Sequence, residues 1–509
     1  MLYFECHGIH RGRYFKHIHN LSVSMNVIFT TIHIFGLITI GFSALMATCL
    51  MTSFISHDGA IIAFFEGTGI TLLLGALMFF PTLRTPKKVS RQTSFLLVSM
   101  TWSLIPVFCT LPLIIYMPEI SYIDAYFEAV SGLTTTGATT LTGLDDLPMS
   151  INLWRHELNW VGGMGIIILA VAILPILGIG GMQLYKAEAP GAVKESELPP
   201  RIAQTAKALW LVYAGFTLTC IITLKLAGMT WFDSVCHAFS AMSLGGFSTH
   251  DASIGFFDSP AIEMVLTSFQ LLAAINFATH YIAIRKQTLK PYAKDMEARS
   301  FLALVLGSCL VAATVLWHAD TYPDFLTALR HAAFNMVTIA TSSGYSSQDF
   351  NQWPIFVSMS MLFLSCISAS SGSTGGGIRM IRTIILVKQS RLELYKFIHP
   401  FSIKPLKIGT NIISHNIVAS VTGFIFLYFI IIVIMVFMML LSGMDFLTAF
   451  TAVIASFNNT GPGLNQVGPA ANYAGLNDFQ TGVCIIAMLL GRVQIFSMII
   501  LFVPEFWKK

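Results

Sequence analysis

Long apolar stretches are the feature that most restricts how this chain can fold. Stretches such as 26–52, 60–80 and 409–441 reach or exceed the roughly 20 residues that a helix needs to cross a hydrocarbon core of about 30 Å. Charged residues make up only 11% of the sequence, whereas soluble domains carry about 25%. The sequence therefore predicts an all-α polytopic membrane protein.

Basic residues predict how the chain is oriented in the membrane. We expect ten spans, at 26–52, 60–80, 95–117, 151–178, 205–228, 260–284, 300–317, 353–388, 409–441 and 478–503. An even number places both termini on one side. With the termini inside, 25 of the 29 Lys and Arg residues lie on the inner side, as the positive-inside rule requires. We therefore expect both termini to be cytoplasmic.

Residues 1–24 form a basic, histidine-rich extension before the first span. His7, His10, His17 and His19 could bind a metal ion, but a partly disordered basic tail is the favoured interpretation. The eight cysteines include no C-x-x-C pair and lie mostly inside apolar spans. We interpret them as small hydrophobic residues rather than as disulfide partners or metal ligands.

Four short apolar segments lie between spans and have related sequences. They are 124–140, 233–249, 331–347 and 448–464. The first two align without gaps at an offset of 109, and the last two contain the identical string DFLTA. From the start of that string, 20 residues lead to Gly344 but only 16 lead to Gly461, a difference of about one helical turn. Internal repeats of this kind define the fold.

Each copy is predicted to fold as a span, a short half-helix, a glycine turn and a second span. Asp124, Asp233 and Asp445 are the expected N-caps of three half-helices, because a carboxylate can accept hydrogen bonds from the first free amides. The pattern predicts two extra spans with a cytoplasmic loop at 25–94, followed by four pore repeats at 95–200, 201–298, 299–408 and 409–509.

A glycine turn at membrane depth indicates an ion-binding wall. Non-helical backbone survives there only if it is buried in protein or lines a water-filled cavity. Four extended segments around one axis could direct carbonyl oxygens inward in place of hydration water, and the required positive φ favours glycine. The predicted filter is Thr135, Thr136 and Gly137; Leu244, Gly245 and Gly246; Ser342, Ser343 and Gly344; and Asn459, Thr460 and Gly461. The alternative is four structural re-entrant loops.

The eighth predicted span contains a stretch that is unsuited to a helix, because each glycine costs about 1 kcal/mol there. Helical rise places this stretch and Arg492 at the same level of the inner half of the membrane. Arginine at that depth costs about 3 kcal/mol unless it is paired or wetted. We therefore predict that Arg492 hydrogen-bonds Ser and backbone groups of a gating loop. The alternative is a structural arginine that caps helix ends. The loop residues are Ser370, Ser371, Gly372, Ser373, Thr374, Gly375, Gly376 and Gly377.

Two other classes of function are weaker interpretations. A proton- or sodium-coupled cation symporter, with the broken eighth span as substrate site, predicts inverted repeats and intramembrane carboxylates, whereas these repeats share one orientation. A phosphate-binding loop is disfavoured because GSTGGGIR lacks the G-x-x-x-x-G-K-[ST] pattern. We find no metal-ligand spacing and no nucleophile elbow, so we expect neither an enzyme nor an organic cofactor.

Seven motifs together give the chain a resemblance to a known family. They are TTTGAT, NWVGGMGI, LGGFSTHDASIG, SSGYSS, GSTGGGIR, NNTGPGL and LLGR. Over residues 26–509 the chain resembles the Trk/Ktr/HKT superfamily of potassium-uptake proteins, and within it the bacterial Trk-type membrane subunit. The resemblance implies four span–pore loop–span units with pseudo-fourfold symmetry around one ion pathway, preceded by two extra transmembrane helices.

The resemblance also implies a function and partners. Potassium would be the transported ion, taken up across the bacterial inner membrane through the filter and the gate described above. Because only the glycine is common to all four triplets, we expect K⁺ and Rb⁺ to pass well and Na⁺ poorly, with less discrimination than four identical strands would give.

The implied partners are a second copy of the chain, in a homodimer, and a cytoplasmic nucleotide-binding regulatory subunit. The basic inner segment 379–407 is an expected docking surface for that subunit. Contact with anionic membrane lipid explains the same segment equally well. No nucleic-acid partner is expected.

Overall fold

The computed structural model describes residues 5–84, 90–172, 202–367, 369–409 and 411–507. The end of the predicted span 151–178, the basic loop after it and the side chains of the N-terminal histidines lie outside the described part. The described residues are mostly helical, with two short strands, which confirms the all-α prediction. They form two compact units, Met1–Tyr116 with Phe496–Lys509, and Met117–Ile495.

The first unit contains the two extra N-terminal spans. Its helices are Glu5–Ser56, Ile61–Phe79, Arg91–Cys109, Leu111–Tyr116 and Pro504–Trp507, with short 3-10 helices at Phe80–Thr82 and Ile500–Phe502. The first two helices pack closely where both carry glycine. A Cβ at Gly36 would lie only 2.9 Å from Met78 Cβ, so small residues allow this contact between spans.

The N-terminal extension differs from the expected irregular tail. One helix runs without a break from Glu5 to Ser56. Extending an existing helix adds one hydrogen bond for each residue fixed and needs no new nucleus. The apolar span therefore provides the template on which the preceding residues become helical.

The second unit contains the four repeats. Its helices are Tyr122–Leu133, Met149–Ala172, Ile202–Leu226, Trp231–Ser243, Pro260–Ala273, Phe277–Lys286, Lys290–Lys294, Met296–His318, Phe325–Ala340, Ile355–Ile367, Met380–Ile398, His415–Leu441, Phe446–Phe457 and Asp478–Val493. The boundary with the first unit falls in the short helix Ile495–Ile499.

Short elements complete the second unit. Strands β1, Lys407–Ile408, and β2, Asn411–Ile412, pair antiparallel, with Lys407 opposite Ile412. The 3-10 helices are Leu144–Asp146, Ser253–Phe257, Phe350–Gln352, Asn465–Val467 and Tyr473–Gly475.

Six helices of the described part are long and apolar enough to cross a membrane, or up to eight if two bent helix pairs each count as one span. These eight coincide with eight of the ten predicted spans. The two remaining predictions, 151–178 and 353–388, overlap the helix Met149–Ala172 and the 13-residue helix Ile355–Ile367, respectively. The chain is therefore a multi-pass membrane protein.

The predicted span 260–284 is wrong as a continuous helix. Pro260–Ala273 and Phe277–Lys286 meet at an angle of 96°. The break leaves the carbonyls of Ala273 and Ala274 without helical partners, and amides of the loop 369–379 bind both of them. Tertiary contacts therefore satisfy the backbone groups that the break exposes.

Four half-helices, pore helices 1 to 4, occupy the predicted positions. They are Tyr122–Leu133, Trp231–Ser243, Phe325–Ala340 and Phe446–Phe457. Pore helix 3 has 16 residues and pore helix 4 has 12, and this difference is the single turn that the spacing predicts.

Two of the three predicted N-caps are wrong. Ser121 and Thr230 cap pore helices 1 and 2, and their hydroxyl oxygens accept from the amides of Asp124 and Asp233. The hydroxyl residue three positions earlier takes the capping position, and the aspartate then lies in the first turn, where the helix dipole favours its charge. Asp445 is the N-cap of pore helix 4, as predicted.

Candidate ion pathway

All four pore helices end in the same backbone motif. In each, the amide of the second filter residue donates to a carbonyl five residues earlier, for example Thr136 to Ser131 at 2.9 Å. This bond is the hallmark of a Schellman motif, which requires a left-handed residue after the helix. That residue is the first of each filter triplet: Thr135, Leu244, Ser342 and Asn459 have φ of 51°, 56°, 61° and 54°.

The glycine of each triplet is also left-handed. Gly137, Gly246, Gly344 and Gly461 have φ of 80°, 70°, 87° and 94°. Left-handed backbone costs a non-glycine residue roughly 1–2 kcal/mol. Each triplet therefore contains two left-handed residues, the first and the third, and the third is the glycine.

Contacts between repeats close the four triplets into a ring. A Cβ added at Gly137 would meet the Gly245 carbonyl oxygen, and one at Gly246 would meet that of Ser343. The same clash joins Gly344 to Thr460 and Gly461 to Thr136, in every case at less than 3.0 Å. Each repeat thus contacts the next, and the fourth contacts the first. The four triplets therefore surround a common axis.

One cavity of about 80 Å³ touches all four glycines. We call this cavity the vestibule. Arg155, His250, Asp251 and Tyr473 also line it. A cavity of this size holds a few waters, so the ring of backbone borders on space that water can enter.

Acidic groups lie at the rim of the vestibule. The carboxylate of Asp145 accepts from His250 and from the backbone amide of Asp251. Slight burial would raise the pKa of the Asp145 carboxyl, but these hydrogen bonds lower it below its ordinary value. The group is therefore ionised at neutral pH and adds negative charge where a cation would enter.

The predicted gating loop lies directly against the filter residues. The amide of Gly376 donates to the Ser342 hydroxyl at 2.7 Å. A Cβ at Gly376 would also clash with the Asn458 carbonyl, next to the fourth triplet. The described loop residues 369–379 contain no helix, as the glycine content of the loop predicts.

The loop is anchored in the break of the neighbouring span. The Phe277 amide donates to the Gly372 carbonyl at 3.1 Å, and the Ser370 amide donates to Ala274 at 3.0 Å. The Thr374 hydroxyl donates to the Met242 carbonyl at 3.1 Å. The loop therefore contacts residues of repeats 2, 3 and 4.

Arg492 connects this loop to the first repeat. Its Nη1 donates to the Thr374 carbonyl at 2.9 Å, and its Nη2 donates to the Gly162 carbonyl at 3.1 Å. The side chain is only 1% exposed. A guanidinium can bridge two carbonyls in this way because its donors form a fixed planar fork. Arg492 thus connects the backbone of the loop to the helix Met149–Ala172 of repeat 1.

Sequence reasoning missed a carboxylate that also holds the loop. Glu297 Oε1 accepts from the Ser371 amide at 3.1 Å, the Ser371 hydroxyl at 3.2 Å and the Ile381 amide at 2.9 Å. Glu297 therefore binds Ser371 near the start of the loop and Ile381 in the first turn of the helix that follows the loop. Its position in the first turn of Met296–His318 resembles an ordinary helix-dipole acid, so no signal in the sequence distinguishes it.

Sequence reasoning also missed a set of equivalent positions in the pore helices, each nine residues before a filter glycine. Glu128, His237 and Asn335 occupy this position in repeats 1 to 3, and Ala452 occupies it in repeat 4. The three polar residues hydrogen-bond Thr139, Ser248 and Ser347 respectively, just beyond the glycines. The gapless alignment of the first two repeats could have indicated this pairing, because it matches Glu128 with His237 and Thr139 with Ser248.

Comparisons with known proteins agree with this architecture. Residues 60–509 match the family model TrkH, described as a cation transport protein. The chain is 42% identical over 94% of its length to the Trk system potassium uptake protein TrkH of Halomonas elongata, covering 99% of that protein. It is 39% identical over 94% of its length to the protein of the same name from Escherichia coli strain K12, covering 98% of it.

A solved structure is similar over nearly the whole chain. The crystal structure of the potassium transporter TrkH from Vibrio parahaemolyticus superposes with a TM-score of 0.87 at 40% identity, covering 94% of this chain and all of that one. The ring of four glycine turns, the extent of the family match and this superposition lead to one conclusion. The chain belongs to the TrkH family of cation transport proteins.

Proposed function

We propose that this protein takes up potassium across the bacterial inner membrane through the ring of four triplets. The observation that carries the proposal is the closed order of contacts, in which each glycine packs on the residue before the next repeat's glycine. A ring of backbone carbonyls can replace the hydration shell of K⁺. The relatives named as potassium uptake proteins support K⁺ as the ion.

The four triplets differ in sequence and in hydrogen bonding, and this difference limits the ion selectivity of the ring. The Gly461 carbonyl accepts from the Tyr473 hydroxyl at 2.8 Å, and the first three repeats use different side chains behind the filter. Unequal oxygens give a less uniform cage than four identical strands. We therefore expect K⁺ and Rb⁺ to pass well and Na⁺ to pass poorly, with moderate discrimination.

The loop 370–377 and Arg492 form the gate in this proposal. The loop packs against filter residues through Gly376, and Arg492 fixes it through Thr374. A buried guanidinium near the pathway opposes cation passage by Coulomb repulsion. Opening would require the loop to leave these contacts. The distribution of Lys and Arg along the sequence supports cytoplasmic termini in this proposal.

Partners remain part of the proposal. A second copy of the chain would form a homodimer, and a cytoplasmic nucleotide-binding subunit or anionic lipid would bind the basic segment 379–407. Phe397, Phe401 and Ile403 in that segment are 84%, 98% and 97% exposed. Apolar side chains this exposed favour a protein or membrane contact.

Coupled symport is the second candidate, because Glu297 places a carboxylate on the broken eighth span. The two candidates differ in what drives K⁺ movement. In vesicles with equal K⁺ on both sides, an imposed Na⁺ or proton gradient drives K⁺ accumulation in a symporter only. Accumulation under that condition would replace our proposal with the second candidate.

The filter assignment is tested by Gly461→Ser in reconstituted vesicles. The substitution adds a side chain at φ 94° against the Thr136 carbonyl. We expect the ratio of K⁺ flux to Na⁺ flux to fall about tenfold or more, since roughly 1–2 kcal/mol of backbone strain distorts the site. Gly423→Ser is the matched control, because a Cβ there meets open space. An unchanged ratio in Gly461→Ser would refute the filter.

A further inference from the structure

In each repeat, a different set of hydrogen bonds supports the backbone that follows the filter triplet. In repeat 2, His237 Nε2 contacts the Ser248 hydroxyl at 3.0 Å, and in repeat 3 Asn335 donates to the Ser347 hydroxyl at 3.0 Å. In repeat 4 the Leu464 amide donates to the Thr451 hydroxyl at 2.9 Å. Each of these three supports is a hydrogen bond to a hydroxyl group, and none of the three is an ion pair. Repeat 1 differs from all of them.

Repeat 1 uses a buried ion pair. Arg155 Nε donates to Glu128 Oε1 at 2.6 Å, and both side chains are 1% exposed. Glu128 also accepts from the Thr139 hydroxyl at 3.0 Å and from the Thr140 amide at 3.3 Å. The carboxylate therefore fixes the backbone that leaves the first triplet.

Arg155 extends the same network to the second repeat. Its Nη1 donates to the Ser248 carbonyl at 3.3 Å, and its guanidinium carbon lies 4.2 Å from the centre of the Phe247 ring. Phe247 and Ser248 directly follow Gly246 in the second triplet. One ion pair thus links the segments that follow two neighbouring filter glycines.

Arg155 is also close to the pathway. It lines the vestibule together with the four filter glycines. An isolated positive charge at this place would repel a cation, and the interior does little to screen it. The adjacent Glu128 carboxylate makes the pair neutral overall.

We propose that Glu128 and Arg155 are a positioning pair with two separable roles. Their hydrogen bonds hold the first and second triplets in register, which sets ion selectivity. Their charge balance sets the affinity of the vestibule for the entering cation. This inference rests on the proposed function, because it assumes that cations pass through the ring.

The two roles predict different patterns in a three-variant series, measured as K⁺ and Na⁺ uptake into vesicles. Glu128→Gln leaves the guanidinium unbalanced, so we expect the half-saturating K⁺ concentration to rise about tenfold. Arg155→Gln leaves the carboxylate unbalanced, so that concentration should stay equal or fall. The double variant restores neutrality and should lie within about threefold of the unmodified protein. The ratio of K⁺ to Na⁺ flux should fall in all three variants.

A matched ion pair away from the ring provides the control. Arg330 donates to both carboxylate oxygens of Glu263, at 2.7 and 3.0 Å. Neither side chain hydrogen-bonds a filter triplet in the described part of the chain. Glu263→Gln and Arg330→Gln should change neither the half-saturating concentration nor the flux ratio. Thermal melting of each detergent-solubilised variant reports whether it is folded.

Several results would overturn the inference. If Glu128→Gln and Arg155→Gln raise the half-saturating concentration equally, the pair acts through stability and not through charge. If the flux ratio is unchanged, the pair does not position the triplets. A single variant can misfold because it leaves a buried charge unpaired, and the flux ratio of the neutral double variant then decides. Absence of K⁺-selective uptake by the unmodified protein would instead refute the proposed function.

Discussion

At the scale of single residues, backbone conformation explains which positions are fixed. Gly137, Gly246, Gly344 and Gly461 combine positive φ with a neighbouring carbonyl that leaves no room for a Cβ. The first residue of each triplet is also left-handed but is Thr, Leu, Ser or Asn. It tolerates a side chain because the Schellman hydrogen bond stabilises that turn. Thus only the third position requires glycine.

Arg492 provides a prediction at this scale. Arg492→Lys keeps a positive charge, but an ammonium on a flexible stem does not reproduce the planar fork that reaches both Thr374 and Gly162. Losing one charge-assisted hydrogen bond costs about 1.5–3 kcal/mol. We expect K⁺ leak through the unstimulated protein to increase about tenfold or more, measured as ⁸⁶Rb⁺ efflux from vesicles.

The control for this substitution is Lys225→Arg, at the end of Ile202–Leu226, where the amine donates to the Met229 carbonyl. It should leave the leak unchanged. If Arg492→Lys also leaves the leak unchanged, charge alone is sufficient and the bridging geometry has no role in closing the pathway.

At the scale of elements, the loop 369–379 and the break in the neighbouring span form one interlocked unit. The loop supplies amides to Ala273 and Ala274, and the helix that follows the break supplies the Phe277 amide to Gly372. Neither irregular segment satisfies its backbone groups alone. Each therefore depends on the other for its conformation.

Glu297 is the element-scale test of that interlock. Glu297→Gln keeps one acceptor oxygen but places an NH₂ donor beside the three donors that Glu297 binds, which are the amide and hydroxyl of Ser371 in the loop and the Ile381 amide just after it. We expect the free energy of local opening to fall by about 1–3 kcal/mol. Amide hydrogen exchange of residues 370–378 should become about tenfold or more faster, while pore helix 4 exchanges as before.

Asp295→Asn is the control for Glu297→Gln. Asp295 caps the same helix and accepts from the Thr279 hydroxyl. Asparagine is an equally good N-cap, so exchange of the loop should not change. Protection of 370–378 that is equal in Glu297→Gln and the unmodified protein would show that the loop is held without this carboxylate.

At the scale of the whole molecule, charge distribution predicts orientation. The basic residues concentrate on one side of the predicted spans, which predicts that both termini lie in the cytoplasm. Green fluorescent protein fused after Lys509 should therefore fluoresce in bacterial cells, whereas alkaline phosphatase at the same place should be inactive. A fusion in the loop between Leu226 and Thr230 should show the opposite pattern. Active phosphatase at the C-terminus would overturn the orientation.

Much of the architecture follows from patterns that are local in the sequence. Apolar length predicts the spans, repeat alignment predicts the four pore helices, and glycine content predicts the irregular loop. The extra turn of pore helix 3 is readable because DFLTA marks the start of two related helices. The break at 274–276 was missed because Ala274 and Ile275 also suit a continuous helix. Asn276, which caps the helix after the break, was the local signal for it.

The membrane fold, the four repeats and the glycine positions can be read from the amino-acid sequence, because each depends on residues close together in the chain. Which groups meet becomes visible only in the folded protein. The contact of Glu297 with Ser371 spans 74 positions of the chain, and the bond from Arg492 to Gly162 spans 330. Contacts of that separation leave no periodic signal, because their partners are brought together only when the repeats close around the common axis.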